Sequence, residues 1–189
     1  MKELHQFINN YFGVTVEETN QISRFFLEHT LPKGEFFVEK GNYCNQLSFI
    51  HSGYLRVFAE TEHKEVTQWI STPGYFVTDL SSLLFGTPSR FNIQALTDCS
   101  LYTIKRSDYQ NLGNYIAKWD TIEKLFIAKC FVTLENRIFH QLSKSAEERY
   151  QELFSENPML FNQIPLQYLA SMLGMTPETL SRIRKKGTS

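Results

Sequence analysis

Between Ile164 and Lys186 the chain reads IPLQYLASMLGMTPETLSRIRKK. Pro165 suits the first turn of a helix, where a missing N–H is no loss. Leu166, Leu169, Ala170 and Leu173 follow at helical spacing and give that helix one apolar face. Ala170 is small enough for a second helix to cross closely. Gly174 supplies the left-handed residue that a turn at this point requires, and Met175 fills the angle between the helices. Thr176 is placed to cap a second helix, with Pro177 at its first position and Glu178 where the helix dipole favours an acid. Leu180 and Ile183, three apart, turn inward. Pro177, Glu178, Ser181, Arg182 and Lys185 are left on the outward side. The pattern is a helix-turn-helix whose second helix is polar and basic, a shape that fits the major groove of duplex DNA.

The residue types support that reading. Arg182 can donate two hydrogen bonds to guanine O6 and N7, and Glu178 can accept one from cytosine N4. Lys185, Lys186 and the hydroxyls of Thr176 or Thr179 can hold phosphates, which set register and affinity. The candidate DNA-binding set is therefore Thr176, Pro177, Glu178, Thr179, Ser181, Arg182, Lys185 and Lys186. A net charge of −1 excludes a surface that is basic throughout; Arg182, Arg184, Lys185 and Lys186 make a local patch instead.

Moving upstream, Ser145-Ala146-Glu147-Glu148 is a capping box. It predicts a helix to about Ser155, stopped before Asn157-Pro158. Met159-Leu160-Phe161-Asn162 is the only strand-like run near the helix-turn-helix, so any β-wing is expected to be reduced. Ile116, Trp119, Ile122, Phe126, Cys130, Thr133, Leu134, Ile138 and Leu142 form a helical stripe that Leu125, Ile127, Phe131, Val132 and Phe139 widen. No Gly or Pro interrupts the chain between Asn114 and Asn157. A long helix over 113–142 that is apolar on more than one face must bury two surfaces. One would meet its own β-domain, the other a second subunit, as in a two-stranded coiled coil.

Between residue 35 and about 105, short β-prone runs alternate with turn residues such as Lys40-Gly41-Asn42, Ser52-Gly53 and Thr72-Pro73-Gly74. The runs are Phe36–Val38, Leu47–Ile50, Tyr54–Phe58, Val66–Ile70, Phe91–Ala95 and Leu101–Ile104. This predicts an antiparallel β-sandwich or roll. Residues 3–29 show helical spacing in two pieces, closed by the turn Leu31-Pro32-Lys33-Gly34. The expected fold class is α+β: an N-terminal antiparallel β-roll with flanking helices, a long dimerisation helix and a winged-helix-like C-terminal reader. The expected boundaries are 1–112, 113–144 and 145–189.

Composition excludes several classes. Cys44, Cys99 and Cys130 are widely spaced, with no CxxC pair and no cluster near the N-terminus, which disfavours a zinc or iron–sulfur site. The five histidines are dispersed, which gives haem sensing little support. No signal peptide and no apolar run of spanning length is seen, so a cytoplasmic protein without a membrane partner is expected. A cupin-like metalloenzyme on a β-roll is the competing class, but it needs a His-x-His pair that this chain lacks. No P-loop, GxGxxG or serine-nucleophile elbow is present either, and the expectation is that the chain is not an enzyme. A ligand-binding regulatory module working through protein partners stays open, though it leaves the basic last helix unexplained.

The segment Thr176-Pro177-Glu178-Thr179-Leu180-Ser181-Arg182-Ile183 closely resembles the recognition-helix signature of the catabolite-activator/FNR (Crp/Fnr) family of bacterial regulators. Leu169-Ala170-Ser171-Met172-Leu173-Gly174-Met175 matches its first helix and turn. Lys33-Gly34, Gly41 and Ser52-Gly53 followed by Tyr54-Leu55-Arg56-Val57 look like its cyclic-nucleotide-binding β-roll. The resemblance implies a homodimer on double-stranded DNA, with RNA polymerase a further partner if the protein activates. It places Glu178 and Arg182 on the family's base-contacting Glu and Arg, and Pro177 where the family has a further Arg. It also implies a nucleotide cassette between Pro73 and Phe91. There Thr78-Asp79 stands in place of Gly-Glu, Ser89 in place of the phosphate-binding Arg, and Arg90 follows one position later. A one-residue shift in a strand turns a side chain to the opposite face. Thr78, Asp79, Leu80, Ser89 and Arg90 are the pocket candidates, with Asp79 and Arg90 as the expected pair. The departures lead to the expectation of no cofactor and no response to cyclic AMP.

Overall fold

A computed structural model describes residues 2–187. Two helices open the chain, α1 (Lys2–Phe12) and α2 (Val16–Ser23). Thr15 starts α2 with a capping box: its hydroxyl accepts from the Glu18 N–H while the Glu18 carboxylate accepts from the Thr15 N–H. Six strands follow: β1 (Leu27–Leu31), β2 (Phe36–Val38), β3 (Gln46–Ser52), β4 (Leu55–Glu60), β5 (Glu65–Ser71) and β6 (Phe76–Val77). Then come α3 (Leu80–Phe85), β7 (Asn92–Ala95), β8 (Cys99–Lys105), α4 (Arg106–Gln110) and a 3-10 turn at Leu112–Asn114. The long helix α5 spans Trp119–Ser143, and α6 (Ala146–Glu156), α7 (Leu160–Gln163), α8 (Leu166–Met172) and α9 (Pro177–Gly187) complete the described chain.

The strands form two antiparallel four-stranded sheets, ordered β1-β8-β3-β6 and β2-β7-β4-β5. Leu31, Phe37, Val38, Ile50, Leu55, Ile93, Ala95 and Leu101 pack between them as one core. Gly53 turns the chain from β3 to β4 with φ +92, and a Cβ there would lie 2.5 Å from the Asp98 carbonyl oxygen and 2.8 Å from Cys99 Cα. Backbone leaves no room for a side chain at that corner. A second core joins the outer face of the first sheet to α1, α2 and the N-terminal half of α5, through Leu4, Ile8, Ile22, Phe49, Tyr102, Trp119, Ile122 and Phe126.

Several elements differ from the sequence expectation. Leu27–Leu31 is a strand, not the end of a helical segment; it pairs along β8 from Leu27 opposite Thr103 to Leu31 opposite Cys99. Only Leu31 of its residues is buried, so no alternation marked it. Leu80–Phe85, between the cassette halves, is helical, capped by Asp79 and closed by Gly86 in the left-handed region. The long helix begins at Trp119, later than residue 113, because residues 112–114 form the 3-10 turn. Pro165 precedes α8 with extended backbone (ψ 132) and acts as its cap residue, outside the first turn. Met159–Asn162 is not a strand: Met159 is αR and Leu160–Gln163 is helix. Among the described residues no strand follows Lys105, so the C-terminal unit is a helical cluster without a wing.

Candidate nucleic-acid interface

The last four helices share one core. Tyr150 of α6, Leu160 and Phe161 of α7, Leu169, Ala170 and Leu173 of α8, and Leu180 and Ile183 of α9 are all buried in it. Ser145 and Glu148 form the expected capping box at the start of α6. Gly174 has φ +66, the left-handed turn residue between α8 and α9. Arg149 of α6 reaches across to this turn. Its Nε donates to the Leu173 carbonyl at 2.9 Å, and its Nη1 donates to the Lys144 carbonyl at 2.6 Å. Carbonyls at a helix end lack partners within the helix, and the cation supplies one.

Thr176 caps α9, its Oγ1 accepting from the Thr179 N–H at 3.2 Å. Pro177 takes the first position of the helix. Glu178 lies in the first turn, where its own backbone N–H and then the Thr176 hydroxyl hold its carboxyl below the usual range. With Leu180 and Ile183 buried, Pro177, Glu178, Arg182, Lys185 and Lys186 are exposed and Ser181 is half-buried. Pro177, Glu178, Ser181, Arg182, Lys185 and Lys186 line an open groove with Leu166 of α8. Every candidate except Thr176 and Thr179 borders this groove; those two lie at the cap beside it.

The cassette is organised differently from the expectation. Asp79 is buried, and its Oδ1 accepts from the Ser82 N–H at 3.0 Å as the cap of α3. Its Oδ2 accepts from the Ser89 hydroxyl at 2.7 Å. Asp79 is thus paired with Ser89, not with Arg90. Arg90 is exposed and lies 5.6 Å from the Phe91 ring centre. Thr78 Oγ1 donates to the Gln46 carbonyl at 2.8 Å, and Leu80 is the first residue of α3, half-buried against the helical core. Among the described residues Asp79 pairs with no cation, so a phosphate placed beside it would face a buried, uncompensated carboxylate. The shift of arginine by one residue has its physical consequence: the inward position at 89 carries a hydroxyl.

Residues 28–114 match the family model of the cyclic nucleotide-binding domain. Among solved structures, FixK2 from Bradyrhizobium japonicum superposes with a TM-score of 0.72 at 18% identity, over 85% of this chain and 83% of that one. A putative Crp/Fnr-family transcriptional regulator from Eubacterium rectale gives 0.70 at 18% identity, covering 96% and 87%. The Thermus thermophilus catabolite activator protein gives 0.58 at 22% identity, covering 95% and 85%. The chain has the Crp/Fnr regulator fold. No curated protein matches by sequence.

On the Crp/Fnr frame, α5 carries a face that its own chain leaves open. Trp119, Ile122 and Phe126 are buried against the β-roll, whereas Leu125, Phe131, Val132, Leu134, Ile138, Phe139 and Leu142 are exposed. Leu142, at 83%, is the most exposed of these, and together they make an apolar stripe of the kind that marks a contact surface.

The C-terminal helical cluster also leans on the second sheet. Tyr54 and Ile70 belong to its core. The Thr67 N–H donates to Ser171 Oγ of α8 at 2.9 Å. Arg56 of β4 is 2% exposed. Its guanidinium carbon sits 3.8 Å from the Tyr168 ring centre and 4.1 Å from that of Phe58. Its Nε donates to Thr67 Oγ1 at 2.9 Å and its Nη1 to Glu65 Oε2 at 2.6 Å. Sequence reasoning missed Arg56, Thr67, Ser171 and Arg149 as residues that fix the C-terminal helices in place. Only the third dimension brings β4 and β5 under α8.

Among the described residues no helix is long and apolar enough to cross a membrane.

Proposed function

We propose that this chain is a dimeric transcriptional regulator that reads double-stranded DNA with α9. The observation that carries the reading is the two-sidedness of that helix: Leu180 and Ile183 are locked in the reader's core, while Glu178, Ser181, Arg182, Lys185 and Lys186 border one open groove. A recognition helix must be held rigidly on one side and free to meet base edges on the other. The regulators it superposes on support the same assignment at the level of fold.

The dimer follows from α5. Burying its exposed Leu, Val, Ile and Phe side chains against a second copy gives the unpaired face a partner. A two-fold dimer carries two α9 helices and favours an inverted-repeat operator with half-sites about one DNA turn, ~34 Å, apart. Pro177 in place of a base-contacting arginine changes what is read at one base pair per half-site. The cassette, with Asp79 bonded to Ser89, supports a protein that does not respond to cyclic AMP.

The test is fluorescence anisotropy on a duplex obtained by site selection. Arg182→Ala should weaken specific binding by about 1–3 kcal/mol per half-site and relax preference at one position. Lys186→Ala should weaken binding to every sequence alike and lower the salt slope by about 1. Arg182→Ala with unchanged sequence preference would show that α9 is not the reading helix.

A further inference from the structure

Two apolar side chains stand in the groove beside the outward face of α9. Leu166, the first residue of α8, and Pro177, the first of α9, border it together with Glu178, Ser181, Arg182 and the two lysines of the last turn. Leu166 is half-buried and packs against the core of the four C-terminal helices. Pro177 is exposed. The charged members of the groove divide by chemistry: Glu178 accepts hydrogen bonds, while Arg182 and the lysines donate them. The proline side chain does neither, and the residue has no N–H.

The major groove of B-DNA offers such a residue one partner. Every base edge there shows hydrogen-bond donors or acceptors, and thymine alone adds an apolar group, its 5-methyl. A guanine, adenine or cytosine edge pressed on the proline ring loses water and gains no hydrogen bond, which costs free energy. A methyl group on the same ring is favourable. Attraction and penalty therefore discriminate in one direction. The contact is also preformed. The ring fixes φ, so Pro177 has little freedom to lose on binding. Thr176 anchors the turn before it, accepting from the Thr179 N–H at 3.2 Å. A helix start accounts for the proline by itself, but not for a leucine from a different helix bordering the same groove.

We infer that Pro177, with Leu166 as the neighbouring apolar wall, reads the 5-methyl group of one thymine in each half-site, beside the pairs met by Glu178 and Arg182. The inference rests on the function proposed above, which leaves the base at this pair unnamed. The half-site is then read by two kinds of contact. A T·A pair is chosen by apolar contact at the first turn of α9, and its G·C neighbours are chosen by hydrogen bonds from Arg182 and to Glu178.

The test starts from the duplex that site selection with the full chain returns, and replaces each thymine of the half-site in turn by deoxyuridine. That change removes the methyl and leaves base pairing and the O4 acceptor as they were. At one thymine per half-site, anisotropy should show binding weakened about fourfold, and about fifteenfold when both half-sites are changed, the loss expected for one uncovered methyl in each. Pro177→Ser removes the ring from an exposed position and should bring thymine and deoxyuridine within about 1.5-fold at that pair, while preference for the guanine read by Arg182 persists. If Pro177→Ser fails to fold by circular dichroism, Pro177→Gly, which also removes the ring, takes its place. A selected half-site without thymine, a scan in which no thymine is sensitive, or a ring-less variant as sensitive to the methyl as the parent would each overturn the inference. In those three results DNA is still read in a sequence-specific way, so the DNA-reading assignment stands. A pool that enriches no sequence at all defeats both.

Discussion

Replacing Arg56 by Met asks how firmly the C-terminal helices are mounted on the β-roll. The unbranched Met keeps most of the arginine stem's packing and removes the guanidinium. Three things are then lost. The hydrogen bond to Thr67 Oγ1, donated by a charged group, is worth about 1.5 kcal/mol or a little more in a buried setting. The pair with Glu65, whose carboxylate side is 48% exposed, is worth no more than about 1 kcal/mol after solvent screening. Stacking on Tyr168 and Phe58 contributes about 0.5–2 kcal/mol for each ring. Against these stands the relief of no longer holding a cation out of water. The net expectation is a loss of about 2–3 kcal/mol in urea unfolding followed by circular dichroism. The loss is also local. Amide hydrogen exchange in Leu166–Met172 should accelerate more than exchange in β3 or β8, because Tyr168 and Ser171 of that helix touch the sheet directly. A variant within about 0.5 kcal/mol of the parent, with exchange in α8 unchanged, would refute the idea that Arg56 clamps the two parts together.

Other expectations follow from single side chains. Leu180 of α9 is fully buried in the core shared with α6, α7 and α8, so Leu180→Ala should cost about 2–5 kcal/mol and abolish DNA binding, checked by denaturation and anisotropy. Phe131→Glu, on the exposed face of α5, should leave the circular dichroism spectrum intact and shift the species seen by analytical ultracentrifugation from dimer to monomer; a dimer that survives would remove α5 as the interface. The Glu148 carboxylate is held below its usual pKa by the Ser145 backbone N–H and then by the Ser145 hydroxyl. A depressed folded-state value contributes stability above the unfolded pKa, and that contribution is lost as pH falls through the folded one. Glu148→Gln should therefore be less stable than the parent at neutral pH, with the gap closing in acid. Thermal unfolding across that range gives the answer.

The helix-turn-helix was legible because its information is local: Gly174, Thr176 and the Leu180–Ile183 spacing each act within a turn or two. The capping box at Ser145 was legible for the same reason. Strands with one buried face and glycine turns were readable too. What escaped was set by contacts distant in sequence. Leu27–Leu31 is a strand because β8 lies beside it, with Leu31 opposite Cys99 and Leu27 opposite Thr103, far along the chain; its own residues are mostly exposed. Met159–Asn162 has strand-like composition, but Leu160 and Phe161 are claimed by the helical core around Tyr150. Arg56 reads as a polar residue in an amphipathic strand, and only the arrival of α8 on that face explains its burial. Asp79, Ser89 and Arg90 were all singled out as pocket candidates, with Asp79 expected beside Arg90; the hydrogen bond from Ser89 to Asp79 was not readable from spacing.

Selection of bound sites from a random duplex pool by the purified full chain, with no ligand added, tests the central claim most directly. The account predicts enrichment of an inverted repeat whose half-sites are about one helical turn apart, lost when Arg182 is replaced by Ala. A pool that stays random under conditions where the protein is folded and dimeric, or an enriched sequence that Arg182→Ala binds equally well, would contradict it.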